Sequence, residues 1–333
     1  MFCLSLIVVA GADGFIGSHL TEALVARGHR VRALVHYNAF GTWGWLDTLP
    51  TNVLEKIEVV QGDIRDAGMV RGLLRDSSLV YHLAALIAIP YSYRAPRSYI
   101  ETNVIGTLNV LEAAREFGTE RVVQTSTSEV FGTAQFVPMS ELHPINAQSP
   151  YAASKVASDQ LAASFYASFN TPAVTLRPFN TFGPRQSARA VIPTVITQLA
   201  AGQAEIKLGT LETTRDFTFV LDTVAAFLAV GEAPLKNVIG QVFNAGCGQE
   251  YSIAQVVQNI QTLMSTQARV VADPERVRPE RSEVMRLVSD SSKLRHVTGW
   301  ESHYTLEMGL KNTIDWFTHP DRISVARARR YGV

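Results

Sequence analysis

Residues 6–17, LIVVAGADGFIG, decide how the rest of the chain is read. The apolar, β-branched run LIVVA predicts a buried strand, and GADGFIG follows it directly, with Gly11, Gly14 and Gly17. From Gly17 to Arg27 the pattern is helical. Glycine is needed between such a strand and helix because the backbone turns sharply there and must let a pyrophosphate approach the helix N-terminus. A glycine pattern alone is weak, but this one has the strand before it and the helix after it that a dinucleotide fingerprint requires. The opening MFCLSLIVVAGADG lacks the basic n-region of a secretion signal and runs into the turn, so it reads as a first strand.

Outward from this stretch, short β-rich runs alternate with helical patterns: VRALV, IEVVQ, a helix after Asp66, LVYHLAA, a long helix before Gly118, and RVVQTST. Such alternation predicts an α/β fold, a doubly wound parallel sheet of Rossmann type covered on both faces. Residues 1–176 are expected to form this dinucleotide-binding unit. Residues 177–333, looser in rhythm and rich in arginine, are expected to form mainly a smaller substrate lobe, with some segments returning to the sheet. No Gly/Ser/Pro linker, internal repeat or low-complexity run separates the two. The basic tail RISVARARRYGV reads as a solvated terminus.

With 333 residues, 47% of them hydrophobic, the chain can bury a substantial core. Its 30 basic and 30 acidic side chains cancel, so no overall field draws it to nucleic acid or an anionic membrane. Cys3 and Cys247 offer neither a disulfide framework nor metal-ligand spacing and read as small apolar residues in a reducing cytoplasm. No apolar run reaches the ~18 residues of a membrane span.

An NAD site usually ends its second strand in an acidic residue that binds the ribose 2′-hydroxyl. This strand ends in Val35 and His36, and Arg32 or His36 is available for a 2′-phosphate, which tilts the expectation from NAD toward NADP. Asp63, in the turn GDIRD, is a candidate for the adenine amino group or for a helix cap. Further on, Ser149 is the expected N-cap and Pro150 the N1 residue of a helix that carries Tyr151 and Lys155 on one face. An ammonium beside a phenol favours phenolate, making Tyr151 a candidate proton acceptor. The Y-x-x-x-K pair gains meaning from its place after a strand ending in Thr125 to Ser128.

Together, GADGFIG, GDIRD, HLAA (82–85), NVIGTLNVLEAA (103–114), TSTSEVFG (125–132), SPYAASK (149–155) and RPFNTFGPRQ (177–186) resemble the extended short-chain dehydrogenase/reductase superfamily, in its nucleotide-sugar epimerase/dehydratase group. YNAFGTWGWLD and RQSARAVIPTVITQL resemble most closely the 4,6-dehydratases of the legionaminic-acid pathway type, which act on a nucleoside-diphosphate N-acetylglucosamine. Ala10 stands where that group usually has threonine, and His36 where arginine is expected. The resemblance implies a tightly held, recycled NADP or NAD. Its contacts would come from Gly11, Gly14, Phe15, Ile16, Gly17, Asp63, Ile64, Leu83, Ala84, Ala85 and Asn103, with Tyr151 and Lys155.

It also implies roles at the reacting sugar. Tyr151 takes the C4 hydroxyl proton with help from Thr127. Glu129 removes the C5 proton and returns one to the departing C6 hydroxyl, and Ser128 assists at C6. Asn180, Arg215, one of Arg278 or Arg281, and then Arg189 are expected at the diphosphate of a UDP- or GDP-hexosamine, guanidinium being suited to phosphate oxygens. A homodimer through helices near 98–117 and 150–169 is implied too. Rival readings are a UDP-glucuronate decarboxylase, a 4-epimerase, and a nucleotide-sensing binding protein without turnover.

Overall fold

A computed structural model describes residues 6–320; Cys3 and the basic tail lie outside them. Six strands alternate with helices in the first half: β1 (Leu6–Ala10), β2 (Arg30–His36), β3 (Ile57–Gly62), β4 (Ser77–His82), β5 (Arg121–Thr125) and β6 (Ala173–Pro178). With Val242–Ala245 they make one sheet in the order Val242–Ala245, β6, β5, β4, β1, β2, β3. All six pairings are parallel, as the doubly wound reading expects.

Alternation along the strands sends side chains to two cores. Ile7, Val9, Val31, Ala33 and Val35 pack on the face covered by helices Phe15–Ala26 and Val220–Glu232. Val8, Ala10 and Leu34 pack on the other, under helices Ala67–Leu74, Gly106–Phe117 and Pro150–Phe169. Apolar burial on both faces is why β1 reads as a continuous hydrophobic run.

Local chemistry sets the helix ends. Ser149 Oγ accepts the Ala152 N–H at 3.1 Å with Pro150 in the first turn, and Asn170, in the left-handed conformation, ends that helix. Asp66 caps the helix Ala67–Leu74 through Met69 N at 3.0 Å. Strand β6 runs through the boundary expected after residue 176. Beyond it come small sheets, in one of which Thr214–Arg215 lies between Tyr251–Ser252 and Arg286–Leu287. Buried Asp216 fastens this region: its carboxylate accepts the N–H groups of Cys247, Gly248 and Ser289 and the Cys247 thiol, at 2.8 to 3.1 Å. Cys247 is thus a hydrogen-bonding residue rather than a merely apolar one. No described helix is long and apolar enough to cross a membrane.

Candidate active site

The strand order reverses at β1, which lies between β4 and β2, and the loops after β1 and β4 leave the carboxyl edge side by side. Leu83 N–H still reaches Ala10 O at 2.8 Å, so Leu83 and Ala84 lie against the glycine turn, with Ala85 next along the loop. Gly11 has φ +87°, and a Cβ there would stand 2.8 Å from Ala84 N; at Gly17 a Cβ would meet Gly11 O at 2.0 Å. Neither position admits a side chain. The helix begins at Phe15 behind Gly14 with no side-chain cap, so its first N–H groups and its dipole face the turn. Phe15 and Ile16 pack against the core and leave their backbone to this cradle, whose uncapped N–H groups suit a dinucleotide pyrophosphate.

Two expected cofactor contacts, Arg32 and Asn103, are corrected, and Asp63 is not the helix cap. Arg32 donates to Glu58 Oε1 (2.9 Å) and to the carbonyls of Leu73 (2.9 Å) and Arg75 (3.0 Å); it sits four residues, about 13 Å, behind the end of its strand and is no phosphate ligand. Asp63 is gripped by Arg65, with Nε and Nη2 at 2.5 to 3.0 Å, which holds its carboxyl below the ordinary range. Asp66, not Asp63, is the cap. Ile64 points its side chain at Gly106, and its carbonyl accepts from Asn109 at 3.0 Å, leaving its N–H as the group free for an adenine. Asn103 is fully engaged: Oδ1 accepts Leu86 N (2.8 Å), and Nδ2 donates to Leu86 O and Ser154 Oγ (both 2.9 Å). It lies in a π-helical stretch, Ile100–Ile105, and holds the loop after β4 against the helix of Tyr151, so it positions rather than touches. His36 is exposed at the mouth of β2.

At the end of β5, Thr127 opens a single 3-10 turn, Ser128–Phe131, its Oγ1 accepting Glu129 N–H at 3.2 Å. Ser128 and Glu129 are buried, Glu129 to 8% exposure. Tyr151 is buried beside them, edge-on to Tyr99 at 6.2 Å, with the Thr127 hydroxyl and the Glu129 carboxylate near enough to act on its phenol. Burial pushes this phenol well up, the Thr127 hydroxyl opposing and the charge of Glu129 adding. The expected lowering by Lys155 does not prevail, because desolvation of a phenolate outweighs it. Lys155 donates to Thr125 O at 2.5 Å, and burial brings its ammonium down to about 8, with Asp159 opposing. Behind it, Arg177 and Asp159 form a nearly inaccessible ion pair at 3.0 Å, Ser126 also donating to Asp159.

The arginines divide. Arg215 and Arg278 converge on Glu283, at 3.6 and 3.5 Å, and the charge of Glu129 acts on Arg215. Arg281 is exposed in the same turn. Asn180 presents a buried Oδ1 with no partner among the described residues. Arg189 is exposed, touches Ser187 Oγ at 3.3 Å, and its charge reaches Tyr99. Arg185 turns away to Glu22 (2.8 Å). Sequence reasoning passed over Tyr99, Asp159, Glu283 and Asp13; only Asp13 had a signal, an acidic residue inside the glycine turn.

A family model described as GDP-mannose 4,6 dehydratase matches residues 8–313. Among curated proteins, dTDP-glucose 4,6-dehydratase of Xanthomonas campestris is 33% identical, over 93% of this chain and 92% of that one. UDP-N-acetyl-alpha-D-glucosaminuronate decarboxylase of Bacillus cytotoxicus is also 33% identical, over 93% and 97%. The crystal structure of UDP-glucuronic acid 4-epimerase from Bacillus cereus with UDP-glucuronic acid and NAD superposes with TM-score 0.83 at 28% identity, over 94% and 98%. With that extent of match on the fold and crevice described above, the chain belongs to the GDP-mannose 4,6 dehydratase family, among the nucleotide-sugar dehydratases and epimerases of the extended short-chain dehydrogenase/reductase superfamily.

Proposed function

We propose that the protein is an NAD(P)-dependent 4,6-dehydratase that converts a nucleoside-diphosphate hexose, in particular an N-acetylglucosamine, to its 4-keto-6-deoxy form. One observation carries the reading: a buried carboxylate, Glu129, stands two residues from Thr127, and both act on the phenol of Tyr151. Removal and return of a hydride at C4 needs only the hydroxyl pair. A carboxylate among them fits abstraction of a carbon acid, and the C5 proton becomes one once C4 is a ketone.

Gly11, Gly14, Gly17 and the backbone of Leu83 to Ala85 would hold the dinucleotide, with Tyr151 and Lys155 at its reactive end. When bound, it supplies the hydride acceptor for C4 and the hydride donor for C6. Tyr151 takes the C4 hydroxyl proton while Thr127 hydrogen-bonds the same oxygen. Glu129 removes the C5 proton and passes a proton to the leaving C6 hydroxyl, Ser128 holding that oxygen, and C5 is reprotonated as C6 is reduced. The balance is loss of one water. Lys155, whose depressed value leaves it protonated at neutral pH, favours the phenolate form in which Tyr151 accepts this proton, against the burial that favours the phenol. Asn180, Arg215 and Arg278 bind the diphosphate, with Arg281 and Arg189 at the margin. A cytoplasmic homodimer belongs to the same proposal, supported by Ile100 and Ile105, exposed on the helix expected at its interface.

A second reading, decarboxylation of a nucleotide uronate, is favoured by Arg189, a cation whose charge reaches the Tyr99 beside Tyr151. The mass of the product formed from UDP- and GDP-N-acetylglucosamine and from UDP-glucuronate separates the readings. Loss of water is expected from a hexosamine; loss of carbon dioxide from the uronate alone, or an unchanged mass, overturns the proposal.

A further inference from the structure

The second strand ends without a carboxylate, yet a carboxylate stands at its end. Asp13, between Gly11 and Gly14, reaches across so that Oδ2 accepts the backbone N–H of His36, the last residue of β2, at 3.1 Å. Its own carbonyl accepts Trp45 N–H at 3.0 Å, and Gly44 approaches so closely that a Cβ there would lie 2.7 Å from Asp13 O. The segment after β2 therefore closes around Asp13 and fixes its side chain at the strand's carboxyl edge. Oδ1 has no hydrogen bond among the described residues and is left for a ligand. The arginines of the second strand and of the turn after the third are engaged elsewhere: Arg32 with Glu58 and two carbonyls, and Arg65 with Asp63. Exposed His36 stands at the edge beside Asp13.

Doubly wound dinucleotide sites place a carboxylate at this edge to accept a ribose hydroxyl, and a cation where a 2′-phosphate must be held. We propose that Asp13 supplies, from the glycine turn, the carboxylate that the second strand lacks, binding the adenosine ribose hydroxyls and selecting NAD over NADP. This rests on the dinucleotide reading of the crevice given above and deepens it. It also reverses the tilt toward NADP, which took the end of β2 to be free of acid.

Asp13→Asn is the informative variant, because an amide oxygen still accepts the His36 N–H while the charge is gone. The dinucleotide released by denaturing the purified wild-type protein is expected by mass spectrometry to be NAD or NADH. In calorimetric titrations of the protein stripped of that dinucleotide, wild type is expected to bind NAD⁺ about a hundredfold more tightly than NADP⁺, as a like charge at a phosphate costs several kcal/mol. The Asn variant is expected to lose at least about tenfold of that preference, chiefly by binding NADP⁺ better, at an unchanged Tm. Released NADP or NADPH, equal wild-type affinities, or a preference untouched by the substitution overturns the inference. Binding of neither dinucleotide overturns the reading of the glycine turn itself.

Discussion

The turn from Gly11 to Gly17 and the group of Arg215, Arg278 and Glu283 both suit anions, but they are made of different material. The first is backbone: helix N–H groups, a left-handed glycine, and a neighbouring loop packed too closely for any Cβ. The second is side chain, two guanidiniums drawn from a two-residue strand and a distant turn and held by one carboxylate. The difference teaches where specificity resides. On the reading proposed above, the backbone cradle receives the phosphates of any carrier, whereas side chains, Asp13 beside it and the arginines of the cluster, discriminate between carriers.

Substitutions that act on one region and spare the other test this contrast, and the largest effect is expected where the two regions meet. Tyr151→Phe removes the proton acceptor and is expected to lower kcat by about a thousandfold, with Tm and dinucleotide affinity kept. Loss of dinucleotide binding in that variant would instead make the phenol part of the cofactor site. Next, Arg215→Met is expected to raise KM for the nucleotide sugar by roughly ten- to a hundredfold, the worth of a charge-assisted contact, with NAD⁺ titrations unaltered. Gly11→Ala should do the reverse. Strain of about 1–2 kcal/mol at positive φ, added to the clash with Ala84, weakens dinucleotide binding by about tenfold or more, while binding of the nucleotide sugar's diphosphate to the arginines is retained.

The smallest expected effect is on stability. Burial brings Lys155 to about 8 from an ordinary value of 10.5, so between these values the unfolded state binds more protons and stability rises with pH. The cost of the buried ammonium is present in full below pH 8. Lys155→Met is therefore expected to raise Tm at neutral pH while abolishing turnover, and to lose that gain as pH approaches 10.5. A gain independent of pH would assign the effect to packing.

The same contrast explains what the sequence reveals. LIVVAGADGFIG, Ser149-Pro150 and the alternating strands act through backbone geometry and neighbours within a few residues, and the sheet order, the glycine cradle and the helix of Tyr151 follow them. Arg32 and Asn103 were misread because their partners, Glu58 with Leu73 and Leu86 with Ser154, become neighbours only through the fold. Asp13 was passed over for a related reason: its reach to His36 depends on strand β2 lying beside β1. The phenol of Tyr151 was judged by one neighbour, Lys155, when burial was the larger influence.

Proton abstraction by Glu129 is the central claim, and it is tested most directly by proton NMR of the wild type and Glu129→Gln turning over UDP- and GDP-N-acetylglucosamine in deuterated water without added cofactor. The account predicts a new C6 methyl signal with deuterium at C5 for the wild type. For Glu129→Gln it predicts loss of that signal by about a hundredfold or more, while the absorbance of reduced nicotinamide still appears on mixing, because C4 oxidation does not need the carboxylate. A C6 methyl formed at the wild-type rate by Glu129→Gln, or a pentose nucleotide formed from UDP-glucuronate by a wild type inert to both hexosamines, would contradict it.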